Sequence, residues 1–161
     1  MVGFEVLDIF GSGSNKRKLA YEVAEFVKSQ IFPKTQGVML EIHLVSKLSE
    51  KESVMGDCLD EDDREYTVRV DSSLDKETFI KVLCHELVHV KQYAKNEMRQ
   101  ITGNIIKWHK LRFKNDLNYD NRPWEIEAFS LEETLAEKFG EISWLGTLIS
   151  IQDQLLMNTM K

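Results

Sequence analysis

The sequence predicts an α+β fold in a single domain spanning residues 1–161. Three observations predict it. Short β-branched runs at 38–45 and 66–71 read as strands. Two long segments, 15–31 and 72–95, carry apolar residues at helical spacing. Beyond residue 123 strand signals disappear and helical ones continue. A chain of 161 residues with 42% apolar content buries a core without disulfide staples.

In chain order, 2–10 (VGFEVLDIF) is an apolar run that reads as a strand, broken by Gly11-Ser12-Gly13-Ser14. This turn has neither the GxGxxG nor the Walker spacing. Leu19, Val23, Phe26, Val27 and Ile31 then set the face of a helix over 15–31, ended by Phe32-Pro33. The run at 38–45 (VMLEIHLV) is a strand. Six of the nine residues in 57–65 (DCLDEDDRE) are acidic. Without the turn glycine that an EF-hand requires, this stretch reads as a solvated acidic hairpin turn rather than a calcium loop. Tyr66 to Asp71 alternates as a strand. The helix over 72–95, capped by Ser73 or Asp75, has an apolar stripe of Phe79, Leu83, Leu87, Val90 and Ala94. Residues 104–119 are basic and aromatic and read as a solvated loop or helix. Pro123 suits the first position of another helix, with Gly140 and Gly146 expected to kink or interrupt it. A last amphipathic helix is expected within 142–160, with its apolar face serving as core, lid or dimer surface.

The chain carries 21 Lys+Arg against 27 Asp+Glu, a formal charge of −6. That balance argues against a broad phosphate-binding surface but allows a small basic patch. Two cysteines, Cys58 and Cys84, cannot form a disulfide scaffold and read as free thiols. No uninterrupted apolar window predicts a membrane span, and residues 1–10 lack the pattern of a signal peptide. A reducing, cytoplasmic setting is the expectation.

The chemistry lies in His85-Glu86-Leu87-Val88-His89, an HExxH motif expected about 0.01 times by chance in a chain of this composition. Residues four apart share a helix face, so two imidazoles so placed grip one zinc ion. Glu86 is then positioned to take a proton from water as general base. The histidine face lies roughly 150° from the centre of the apolar stripe, taking 100° per residue, so it is expected to line a cleft, and Gln92 shares it. A catalytic zinc site needs a third protein ligand. The candidates are His109, Glu125 and Glu127. The last two sit two apart on one helix, pointing about 200° from each other, so they are not expected to ligate together.

HELVH followed by a glutamate on a later helix resembles the gluzincin branch of the zincin metallopeptidases. Glu127-Ala128-Phe129-Ser130 is similar to the E-A-x-S pattern that carries the third ligand there, and on that resemblance Glu127 is the expected ligand. The wider stretch, pieces of 66–139 including Arg122-Pro123-Trp124-Glu125-Ile126-Glu127, resembles small phage and bacterial SprT-like metallopeptidases. Two departures stand out. The SprT family proper uses a third histidine, and His109 is the only one downstream. The gluzincin pattern often has an acidic residue after the serine, where this chain has Leu131, so support for a ligand histidine must come from elsewhere. The resemblance implies a small mixed sheet packed on the HExxH helix with further helices C-terminal to it. It also implies an edge strand at 66–71 that binds extended peptide. Tyr119, shortly before the glutamate helix, is the expected oxyanion donor.

The expected function is zinc-dependent peptide hydrolysis on a protein or peptide substrate. A zincin-fold binding or regulatory module without turnover is the alternative, against which the intact Glu86 speaks. Nucleic-acid contact is a further expectation, with Lys107, Lys110, Arg112 and Lys114 for backbone contact and Trp108 and Phe113 for stacking. The SprT-like resemblance implies that the protein substrate is then DNA-bound.

Overall fold

The computed structural model describes residues 4–61 and 63–159. It contains a mixed four-stranded sheet, a three-stranded antiparallel sheet and four helices. Strand β1 (Phe4–Phe10) leads through helix α1 (Ser14–Ile31) to β2 (Val38–Val45). A short helix α2 (Leu48–Glu52) then precedes β3 (Gly56–Asp60) and β4 (Glu65–Asp71). The order is β1-β2-β4-β3, with β1, β2 and β4 parallel and β3 antiparallel to β4. Strict alternation in β2 buries Val38, Leu40, Ile42 and Leu44 on one face. That face packs against α1 and against α3 (Lys76–Ala94). At Gly11 (φ +80°) an added Cβ would collide with the Leu44 carbonyl, so this turn requires glycine.

Helix α3 starts as expected at a cap. Of the two residues proposed, Asp75 does the capping, accepting a hydrogen bond from the Thr78 amide at 3.0 Å. Ser73 instead bonds Asp71. Asp71 is fully buried at the end of β4 and accepts five hydrogen bonds, from the Lys47, Ser49 and Ser73 amides and the Ser49 and Ser73 hydroxyls. Burial alone would raise its pKa. The two serines outweigh that and hold it well below the usual carboxylate range. This one carboxylate ties the β2–α2 connection to the approach to α3.

Several expectations are corrected here. The strand over 66–71 is interior, paired with β2 on one side and β3 on the other, so the sheet edge on this side is β3. The acidic stretch is a hairpin, but its first half is strand. There Asp57, together with Glu52, clasps the Arg69 guanidinium. The basic stretch is neither loop nor helix: β5 (Met98–Thr102), β6 (Ile105–Trp108) and β7 (Leu111–Lys114) form an antiparallel sheet. Its inner face places Met98 and Trp108 against Trp124, with Phe113 packed alongside, so neither aromatic is a stacking platform. Finally, α4 (Pro123–Thr159) starts at Pro123 as expected and runs unbroken through both glycines. Cys58 and Cys84 are unbridged. Among the described residues no helix is long and apolar enough to cross a membrane.

Candidate metal centre

Helix α3 is buried on two sides. Its apolar stripe faces the sheet, and its histidine face is roofed by the first turns of α4 rather than opening to a wide cleft. His85, Glu86 and His89 are each only 6–8% exposed. Gly56 allows this depth, because a Cβ there would come within 3.0 Å of the Glu86 Cγ and 2.8 Å of the Val82 Cγ1. The edge strand β3 therefore lies directly against the HExxH turn.

Glu125, in the first turn of α4, brings its carboxylate to the histidine pair. The His85 and His89 Nε2 atoms are 3.1 Å apart, and Glu125 Oε2 lies 3.2 Å from the first and 3.3 Å from the second. The opposite nitrogens are already engaged. His85 Nδ1–H donates to Glu132 at 2.7 Å, and His89 Nδ1–H donates to the Gln92 side-chain carbonyl at 2.7 Å. The Gln92 amide nitrogen donates in turn to the Trp124 carbonyl and to Glu127, each at 2.9 Å, which fixes which end of the amide meets His89. Both neutral rings then present Nε2 lone pairs toward each other and toward a carboxylate oxygen. Three acceptors so arranged repel unless a cation lies among them. A tetrahedral zinc with ~2.0–2.1 Å bonds sets ligand atoms ~3.3–3.4 Å apart, so the donor set fits such an ion in both spacing and chemistry. These three residues are the one His/Cys/Asp/Glu group among the described residues with this convergence. Without a metal, a proton serves: burial pulls His85 down, but Glu125 and Glu132 outweigh it and raise its pKa to about 9.

Of the residues singled out in the sequence, the structure brings together His85, His89 and Glu125, with Glu86 adjoining. Burial, opposed by the two histidines, lifts the Glu86 pKa to about 7. Glu127 is not at the centre. It also meets α3, but nearer the C-terminal end of that helix, where it binds Lys91 at 2.9 Å and Gln92 at 2.9 Å. Glu125 rather than the expected Glu127 completes the group that could hold a metal ion, because packing of Trp124 and Ala128 turns the Glu125 side of α4 onto the histidines. His109 lies exposed at the β6–β7 turn, against Trp108, outside the triad. Tyr119, in a 3₁₀ turn before α4, lies near Glu125 and stands edge-on to Phe129, whose ring in turn abuts His85.

Sequence reasoning missed Glu132: with Leu131 directly after Ser130, support for a ligand histidine was expected from elsewhere, and it comes one residue later. It sits seven residues after Glu125, two helical turns along the same face. Following that face from Glu125 would have found it. Gln92 was placed correctly on the histidine face, but it is fully buried and orients His89 rather than lining a cleft. Comparison with known proteins returns no matching family model, no matching curated protein and no matching solved structure.

Proposed function

We propose that this chain is a zinc-dependent peptidase in which His85, His89 and Glu125 hold the metal and Glu86 activates water. One observation carries the proposal: three metal-ligand atoms converge at 3.1–3.3 Å next to a buried carboxylate. A zinc ion bound there supplies Lewis acidity, which lowers the pKa of a water and polarises a carbonyl. Glu86, poised near neutrality by burial, takes the proton of the attacking water and passes it to the departing amine. Glu132 and Gln92 hold the imidazoles in the tautomer that leaves Nε2 available. Tyr119, near Glu125, donates its hydroxyl to the developing oxyanion. The β3 edge, beside Glu86, is where an extended substrate adds as a strand.

The test is metal analysis of the purified chain, followed by hydrolysis of an unfolded protein substrate by wild type and Glu86→Gln. About one zinc per chain in both, with activity reduced by about 10²–10⁴-fold in the variant, supports the reading. Absence of stoichiometric zinc in wild type ends it. Zinc retained with no activity in either protein favours a binding module.

A specific observation favours substrates attached to nucleic acid. Arg99, Lys107 and Arg112 are direct cross-strand neighbours on the outward face of β5-β6-β7. Like charges set opposite one another are destabilising, and an external polyanion relieves this. With Trp108 and Phe113 turned inward, contact would be to phosphates alone. DNA binding should then weaken with salt at a log–log slope of about −3, and neutralising the three residues should abolish it.

A further inference from the structure

The second half of α4 leaves the body of the protein. Ile142, Trp144, Leu145, Leu148, Ile149 and Ile151 are 41–62% exposed, although each is large and apolar. At 100° per residue they form one arc about 180° wide. Ile151, Trp144 and Leu148 lie on one flank, and Leu145, Ile149 and Ile142 on the other. Ser143, Thr147, Ser150 and Gln154 occupy the opposite arc.

We infer that this arc is a self-association surface and that its occupant is the same helix of further copies of this chain. Six large side chains about half exposed present on the order of 450–600 Å² of apolar surface, taking ~150–200 Å² for each when fully exposed. That is more than half of the ~800 Å² per partner of a stable protein interface, and it stands at the upper end of the patches that monomers leave uncovered, a size that is often functional. The charge pattern favours a second copy over a lipid surface. Asp153 is the only charged residue between 142 and 159. Identical helices therefore meet with almost no like-charge repulsion, whereas a membrane-surface helix carries lysines or arginines on its polar face. The arc is also wider than the ~100° stripe that one partner covers, so burying all of it takes two neighbouring helices.

Sedimentation equilibrium of the full chain at about 100 μM tests the inference. The expected mass is at least twice 18.8 kDa. The double substitution Leu145→Glu with Leu148→Glu should return it to 18.8 kDa, with the helical circular dichroism and the metal content of wild type kept. Leu148→Ala, which preserves helix propensity, should weaken association at least tenfold on dilution. Wild type sedimenting as a monomer overturns the inference, as does a double variant that keeps the oligomer mass. A monomeric wild type that floats with zwitterionic or anionic vesicles also overturns it and makes lipid the occupant.

Discussion

Replacing Glu125 or Glu127 by glutamine separates the two carboxylates that the sequence left in competition. Glu125 offers an oxygen 3.2–3.3 Å from both Nε2 atoms, while Glu127 reaches His89 only through Gln92. Structural zinc sites bind with about 10–16 kcal/mol spread over four ligands, or about 3–4 kcal/mol each. Glu125→Gln should therefore weaken zinc binding by about 10²–10³-fold. Glu127→Gln loosens a support two bonds removed and should cost less than the 10–100-fold typical of a direct partner of a ligand. Competition against a chromophoric chelator at pH 7.5 measures both, with thermal melts confirming that each variant is folded. A larger loss in Glu127→Gln than in Glu125→Gln would refute the assignment and the packing phase of α4 from which it follows.

Glu132→Ala removes the acceptor that holds the His85 Nδ1–H and should lower zinc affinity by about 10–100-fold, read by the same competition. Asp71→Ala strips five hydrogen bonds from a buried carboxylate and should cost about 3–4 kcal/mol at pH 7, or roughly 10 °C in Tm. Because the folded-state pKa of Asp71 is depressed, its contribution is present in full above the unfolded value of about 3.9 and fades as the pH falls below that. The gap between wild-type and variant melting temperatures should thus narrow between pH 4 and pH 2.5. Gly140 lies mid-helix with nothing within 4 Å of an added Cβ, so Gly140→Ala should stabilise by about 0.4–1 kcal/mol in denaturant titration.

Of the first 95 residues, β1, α1, β2, β4 and α3 were legible because their periods are clean, whereas the short α2 and β3 were not read. VMLEIHLV alternates and became β2 to the residue, and the stripe from Phe79 to Ala94 fixed α3. The β5-β6-β7 sheet was not read because its signal is short and its charges dominate. The alternation lasts only four residues per strand, and the β6–β7 turn is His109-Lys110, with His109 at φ +50°, where a hairpin usually has Asn-Gly. Gly140 and Gly146 suggested breaks, yet each costs a helix only about 1 kcal/mol, too little to end one whose first turns are anchored by Trp124, Ala128 and Leu135. Within the site, His85, Glu86 and His89 were readable from spacing alone. The third member of the group was not, since two glutamates two residues apart both reach α3 and differ only in which of its residues each one meets. That choice belongs to packing between elements distant in sequence.

The unbroken backbone of α4 gives the site an indexing rule. Glu125 and Glu132 act on opposite nitrogens of the same imidazole, and only a spacing close to two whole turns lets one helix supply both. Inserting one residue between them would swing one carboxylate about 100° around the axis and leave His85 with a single partner. Insertions in the hairpins between α3 and α4 carry no such penalty, because no helical phase passes through them. Among homologues of this chain, length changes should therefore collect between residues 95 and 122 and be absent between Glu125 and Glu132.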